Sequence, residues 1–185
     1  MWPWGHLAAG YLLYSLYARV RTGGPPRDGP ALVAAGATQV PDLVDKPLAW
    51  SLSVLPTGRS LAHSSVVAAL VLPVVWVAAA RRDARPLAVA FAVGVVTHQA
   101  TDALYPVLGF DFAAVTFLAW PLLELPAYEV EGSFAAHLAL VEPSPAFLFE
   151  VGLVAVASVV WHVDGHPGLS TLRSLPGRLR DAAWS

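Results

Sequence analysis

The sequence predicts an all-α fold: a polytopic membrane bundle of about five transmembrane helices with one re-entrant or interfacial segment. Three observations carry that expectation. Of the 185 residues 56% are hydrophobic and only 13% charged, against about 25% charged in an ordinary soluble domain. Mean hydropathy is +0.58. The apolar runs are broken by short clusters of arginine, proline and glycine, which mark turns between helices. Residues 1–185 are expected to form a single membrane-embedded domain, with the motifs in 1–106 and accessory helices and a basic tail in 107–185.

The elements follow in order. A first helix is expected from His6 to Val20, stopping at "RVRTGGPPRDGP". The opening "MWPWGHLAAGYLL" has no basic leader region, so it reads as the start of a retained helix and not as a signal peptide. A second helix, "ALVAAGATQV", should end at Pro41, followed by the long loop "PDLVDKPLAWSLSVLPTGRS". A third spans about Leu61 to Ala80, and a fourth runs from Pro86 to about Leu104. The stretch Asp111–Val141 is apolar but broken by Pro121 and Pro126 and carries Glu124, so it is expected to re-enter or lie in the interface. A last helix covers about Ala146 to Val163. With five crossings, the clusters Arg19/Arg21/Arg27, Arg81/Arg82/Arg85 and Arg173/Arg178/Arg180 fall on one side, which the positive-inside rule makes cytoplasmic. The chain would then sit in the cell membrane with its N-terminus outside and its C-terminus inside. Trp2, Trp4 and Tyr105 suit an outer aromatic belt.

The net charge of −2 gives no bulk attraction for nucleic acid. The absence of cysteine excludes disulfides, thiolate metal sites and cysteine nucleophiles. Any metal must be held by His, Asp or Glu.

Ionisable residues inside a membrane are costly and usually face the bundle interior or a wet cavity. His6 lies 13 residues before Arg19, Asp42 15 after Arg27 and His63 18 before Arg81; His98 and Asp102 lie 13 and 17 after Arg85. At about 1.5 Å per helical residue these are heights of roughly 20–27 Å, one common layer. His98 and Asp102, four apart, share a helical face. Imidazoles and carboxylates in such a layer suit Zn²⁺ as the divalent cofactor, with Mn²⁺ or Fe²⁺ as alternatives. The first two helices are short, which leaves a recess above them, facing outward. Lys46 and Arg59, in the loop beside it, could neutralise a phosphate. Asp45 is a second ligand, a partner that orients a ligand, a general base, or a helix cap.

Each residue also has a plainer role. A single intramembrane histidine is more often structural than ligating, and it is the convergence of five groups that points to a metal. Ser64 and Ser65 follow His63 without a Gly-x-Ser-x-Gly turn, so hydrogen bonding is their expected role. Thr97, Gln99 and Thr101 are expected in packing or behind the ligands, and His162 and His166 at the far interface. His137, Glu124, Glu129 and Glu131 could edge the recess.

"GH" at 5–6, "PDLVDKP" at 41–47, "GRSLAHS" at 58–64 and "THQATD" at 97–102 resemble the membrane-bound metal-dependent hydrolase family. It is also called the LexA-regulated inner-membrane hydrolase family, and its archaeal members look closest. The order of ligands is similar, more distantly, to zinc-dependent phospholipase C and the S1/P1 nucleases. The resemblance implies that Asp42, His63, His98 and Asp102 share one metal, with His6 helping to hold a second that Asp102 bridges. The chain departs from those enzymes in lacking a later His-x-x-x-Glu set, so one or two metals are expected. Their mature N-terminal amine is a ligand; Met1, five residues before His6, is not expected to reproduce that. The expected function is hydrolysis of a phosphoester in a membrane lipid, such as a phospholipid or an isoprenoid phosphate. The rival is a non-enzymatic scaffold or ion-handling protein using the same cluster, and a third reading is a metal that only staples helix ends.

Overall fold

The computed structural model describes residues 1–125 and 133–174. These are 71% helical, with no strand among them. The helices are α1 (Pro3–Thr22), α2 (Asp28–Ala37), α3 (Val40–Lys46), α4 (Ser65–Ala80), α5 (Arg85–Leu108), a short α6 (Phe134–Leu138) and α7 (Pro145–Val163). A π-type turn, Pro47–Ser51, follows α3, and a 3₁₀ helix, Ala113–Ala119, follows α5.

The bundle is built around α1 and α5. α2 packs on both of them, α4 on α5, and α7 on α1. Small residues permit the close crossings: α1 buries Gly5, Ala8, Ala9 and Gly10, α2 buries Ala31, Ala34 and Ala37, and α5 buries Ala88, Ala90 and Gly94. Where side chains are this small the backbones approach, and packing contacts replace the hydrophobic drive that lipid weakens. At Gly94 a Cβ would lie 2.5 Å from the Ala34 carbonyl oxygen.

Several boundaries differ from the expectation. Pro41 does not end a helix; it sits in the first turn of α3, where its missing N–H is not needed. The expected third helix loses its first four residues, because Ser64 caps α4 by accepting from the amides of Val66 and Val67. Helix α5 continues through Pro106 to Leu108, four residues beyond the expected end.

Among the described residues, the expected five crossings are corrected to two helices long and apolar enough to span a membrane, α5 (24 residues) and α7 (19 residues). α2 has ten residues and α4 sixteen, against the roughly 20 a crossing requires. α1 has twenty, but its sequence includes His6, Arg19 and Arg21. The inside–outside assignment derived from five crossings loses its count with them. What survives is a layer: Arg19, Arg27, Arg81 and Arg85 lie at helix ends between α1 and α2 and between α4 and α5, while His6, His63 and His98 lie away from those ends.

Asp164, which caps the end of α7, ties that helix to α1. It accepts from Tyr11 Oη (2.7 Å) and Ser15 Oγ (2.6 Å) and pairs with Arg19. Burial alone would raise its carboxyl; the two hydroxyls and the guanidinium outweigh that and hold it below the ordinary value.

Candidate metal centre

Four separate stretches deliver the polar residues. His6 comes from the second turn of α1, Asp42 and Asp45 from α3, His63 from the turn before α4, and His98 and Asp102 from one face of α5. His6, His63, His98 and Asp45 are at most 1% exposed. The rings of His6 and His98 stack with centroids 3.9 Å apart, and those of His63 and His98 meet edge-on at 4.8 Å. Three imidazoles from distant parts of the chain therefore share one pocket.

Hydrogen bonding decides which nitrogen each ring turns inward. His98 Nδ1 lies 2.6 Å from the Thr38 carbonyl oxygen, an acceptor only, so Nδ1 carries the proton. His63 Nδ1 lies 2.8 Å from Asp45 Oδ2 and donates in the same way. His6 Nδ1 lies 2.8 Å from Thr101 Oγ1, whose own proton points to the carbonyls of Thr97 and His98, so His6 also donates. With the three Nδ1 protons committed outward, the three Nε2 atoms present lone pairs to the interior.

Two features of this interior suit a cation. His63 Nε2 and His98 Nε2 are 3.0 Å apart, so two lone pairs face each other unless a positive species lies between them. His6 Nε2 is buried without a hydrogen-bond partner, although Asp102 Oδ1 is 3.2 Å away. A bare nitrogen facing a carboxylate oxygen at that distance is two acceptors in contact. A proton on His63 is one possible answer: burial pushes that imidazole down, but Asp42, Asp45 and Asp102 around it hold it above its ordinary value. A divalent ion between His63 and His98, or one beside His6, would satisfy these atoms in two overlapping groups.

The donor set fits such an ion. Around His63 Nε2 and His98 Nε2 stand Asp42 Oδ1 (3.4 and 3.9 Å) and Asp102 Oδ2 (3.6 and 3.7 Å). Four ligands at about 2.0–2.1 Å from a tetrahedral zinc are separated by about 3.3 Å. The observed separations bracket that value. Two triads, Asp42/His63/His98 and His6/His98/Asp102, each place one ligand atom per residue within 4.8 Å of the others.

Around these ligands lies a ring of partners. Asp45 accepts from the amides of Ser60 (2.9 Å), Ala62 (2.9 Å) and His63 (3.2 Å) as well as from the His63 ring, so both its oxygens are engaged. Lys46 Nζ is 2.9 Å from Asp42 Oδ2, one helical turn away. Against the burial that would raise it, Asp42 is held well below the usual carboxylate range by its bond to His63 and by Lys46. Arg59 Nε is 3.2 Å from Asp102 Oδ2, and its side chain remains 35% exposed, the most open of the residues that touch the ligands. Both cations expected to meet a phosphate thus rest on ligand carboxylates.

Some features were not legible in the sequence. The Met1 amino group lies 2.9 Å from Asp102 Oδ1, inside the cluster from which it was expected to be absent. Trp2 is extended (φ −76°, ψ 159°), so the first residues reach across toward α5 instead of continuing the axis of α1. Glu150 of α7, not anticipated, is buried and accepts from the Trp2 amide (3.0 Å), with Tyr105 Oη at 3.4 Å. A lone acid in an apolar helix was the available signal for it. It explains the glycine of "GH", because a Cβ at residue 5 would lie 2.6 Å from Glu150 Oε2. Gln99 bonds the carbonyls of Ala62 and Ser64 and so braces the His63 turn. His162 and His166 pair with each other at 3.0 Å on an exposed surface and take no part. Glu124 is exposed, while Glu129, Glu131 and the side chain of His137 lie outside the described residues.

The family model described as YdjM inner membrane protein matches residues 1–166, which include every residue of this cluster. Neither the curated proteins nor the solved structures contain a match.

Proposed function

The chain belongs to the YdjM inner membrane protein family, and for this member we propose metal-dependent hydrolysis of a phosphoester carried by a membrane amphiphile. The observation that carries the proposal is the convergence of three buried Nε2 lone pairs and two carboxylates, with every Nδ1 proton directed away from them. Asp42, His63, His98 and Asp102 would hold a first divalent ion, with zinc favoured by the two-nitrogen, two-oxygen set, and His6 would share Asp102 with a second. Such an ion supplies Lewis acidity and lowers the pKa of water to about 7.

The chain's own residues do the rest. Asp45, with its oxygens taken by amides and by His63, orients an imidazole and fixes its tautomer. The general-base role is less suited to a carboxylate so fully engaged. Arg59, partly exposed and resting on Asp102, is placed to exchange that carboxylate for a phosphate oxygen. Lys46 adds a second positive charge on the Asp42 side. Site depth favours a lipid-borne phosphate: Asp102 stands six residues, about 9 Å, below the end of α5.

One test is elemental analysis of protein purified without chelator, alongside turnover of a phosphodiester lipid analogue in mixed micelles. Wild type should retain near-stoichiometric metal and cleave the analogue in a chelator-sensitive way. His98→Ala and Asp102→Asn should lose both. Equal trace metal in all three would end the proposal. The complete burial of His63 and His98 favours one second reading, a metal that only staples helix ends. That reading predicts the same metal content with no cleavage.

A further inference from the structure

On the side of α1 turned away from His6 there is an apolar groove of about 280 Å³, walled by α1, α2 and α7. Its α1 wall is Trp4, Leu7, Ala8 and Tyr11, spaced as one helical face, whereas His6 looks at α5. α2 contributes Ala31, Leu32 and Ala35, the two alanines leaving space, and α7 contributes Val154, Ser158 and Trp161. Leu169 and Leu172, in the segment after α7, line the end near the arginines. That segment is clasped to the start of α2, where Asp28 accepts from the Gly168 amide (2.9 Å) and from Ser170 Oγ.

Three of the polar side chains on the lining are engaged within the protein. Tyr11 Oη bonds Asp164, Ser158 Oγ bonds the Val154 carbonyl, and Trp161 Nε1 bonds the Pro167 carbonyl. The lining is predominantly apolar and most of its donors are engaged within the protein, which suits a hydrocarbon occupant. From Trp4 to Tyr11 the groove runs about 10 Å, most of the roughly 15 Å thickness of one leaflet's hydrocarbon. One wall is α7, a helix long and apolar enough to span a membrane, and Leu7 and Leu172 of the groove lining are themselves exposed. The space is therefore continuous with the surface that lipid would cover in a membrane-family protein. The exposed cations Arg27, preceding Asp28, and Arg173, following Leu172, flank the end lined by Leu169 and Leu172, where they favour an anionic headgroup.

We propose that this groove is a binding site for one acyl chain of an anionic phospholipid, seated behind the helix that carries His6. The site is separate from the metal cluster and does not depend on hydrolysis. A lipid here would fill the wedge between α2 and α7 and support α1 from the face opposite its ligand.

The full chain, reconstituted in nanodiscs of equal phosphatidylglycerol and phosphatidylcholine, is released into a delipidating detergent and weighed by native mass spectrometry. Wild type should retain one phosphatidylglycerol per chain. Ala35→Leu and Ser158→Leu, which fill the groove from opposite walls, should each cut retention at least tenfold, while Val159→Leu on the outer face of α7 leaves it unchanged. The pair Arg27→Gln and Arg173→Gln should bring the two lipids to parity. Circular dichroism and elution volume check that each variant is folded. Retention unaffected by both filling variants would overturn the proposal. So would a dimer that replaces the lipid and is lost on filling, or lipid bound only after removal of residues 175–185. Those outcomes would give the groove to a second copy or to the chain's own tail.

Discussion

Adding one methyl group at Gly94 should uncouple the metal centre from the bundle. Gly94 faces α2 so closely that a Cβ would lie 2.5 Å from Ala34 O, 2.6 Å from Ala37 Cβ and 3.0 Å from Thr38 N. Two of the three are backbone atoms and cannot turn aside. Ordinary contact begins at about 3.4 Å, so α2 and α5 must part by about 0.9 Å or strain in place. Over-packing of this kind costs about 1–3 kcal/mol. The same crossing supplies the Thr38 carbonyl that holds His98 Nδ1 at 2.6 Å. An added 0.9 Å takes that bond to about 3.5 Å, the limit of a hydrogen bond. Loss of such a partner lowers metal affinity about 10–100-fold, or about 1.4–2.7 kcal/mol. Gly94→Ala should therefore weaken zinc binding by that factor in a chelator-competition titration and lower the Tm. Gly36→Ala, in the same α2 with nothing within 4 Å, should do neither. Wild-type affinity in a folded Gly94→Ala protein would refute the link between crossing distance and imidazole orientation.

Three further outcomes follow from individual residues. Asp45→Asn should keep the helix content but lower metal affinity about 10–100-fold, because the His63 ring loses its charged acceptor while the Ser60 and Ala62 amides lose theirs. Competition titration with circular dichroism checks it. Gly5→Ala should push Glu150 from the start of α1 and lower the Tm by the effect of about 1–3 kcal/mol; in thermal melts the same substitution should cost less in a Glu150→Ala background, where the clashing carboxyl group is gone. Asp164 is a depressed carboxyl, so its contribution is fully present above the ordinary value of about 3.9 and is lost as pH falls through its lower folded value. Unfolding midpoints of wild type should fall more steeply below about pH 4 than those of Asp164→Asn, which has no carboxyl there to titrate.

The sequence by itself determined which residues could do chemistry and that they share a level. Ionisable side chains are rare in so apolar a chain, helical spacing sets how far each lies from its arginine, and the four-residue interval puts His98 and Asp102 on one face. These are local properties, and the clusters of arginine, proline and glycine place most helix boundaries within a few residues. Only the tertiary structure decided which nitrogen of each histidine turns inward. The acceptor for His98 is a backbone carbonyl on another helix, 60 residues away, and a carbonyl has no sequence signature. The tertiary structure likewise assigned Asp45 to the amides of the His63 turn, brought the Met1 amine to Asp102, and joined Glu150 to the start of α1. Among the described residues it also left two helices long and apolar enough to cross, because the layer argument counts apolar runs, whereas a crossing requires length. Helix periodicity sets which side chains share a face. The rotation and separation of the helices depend on where glycine and alanine let two backbones touch, and that is a property of pairs of helices that no single one encodes.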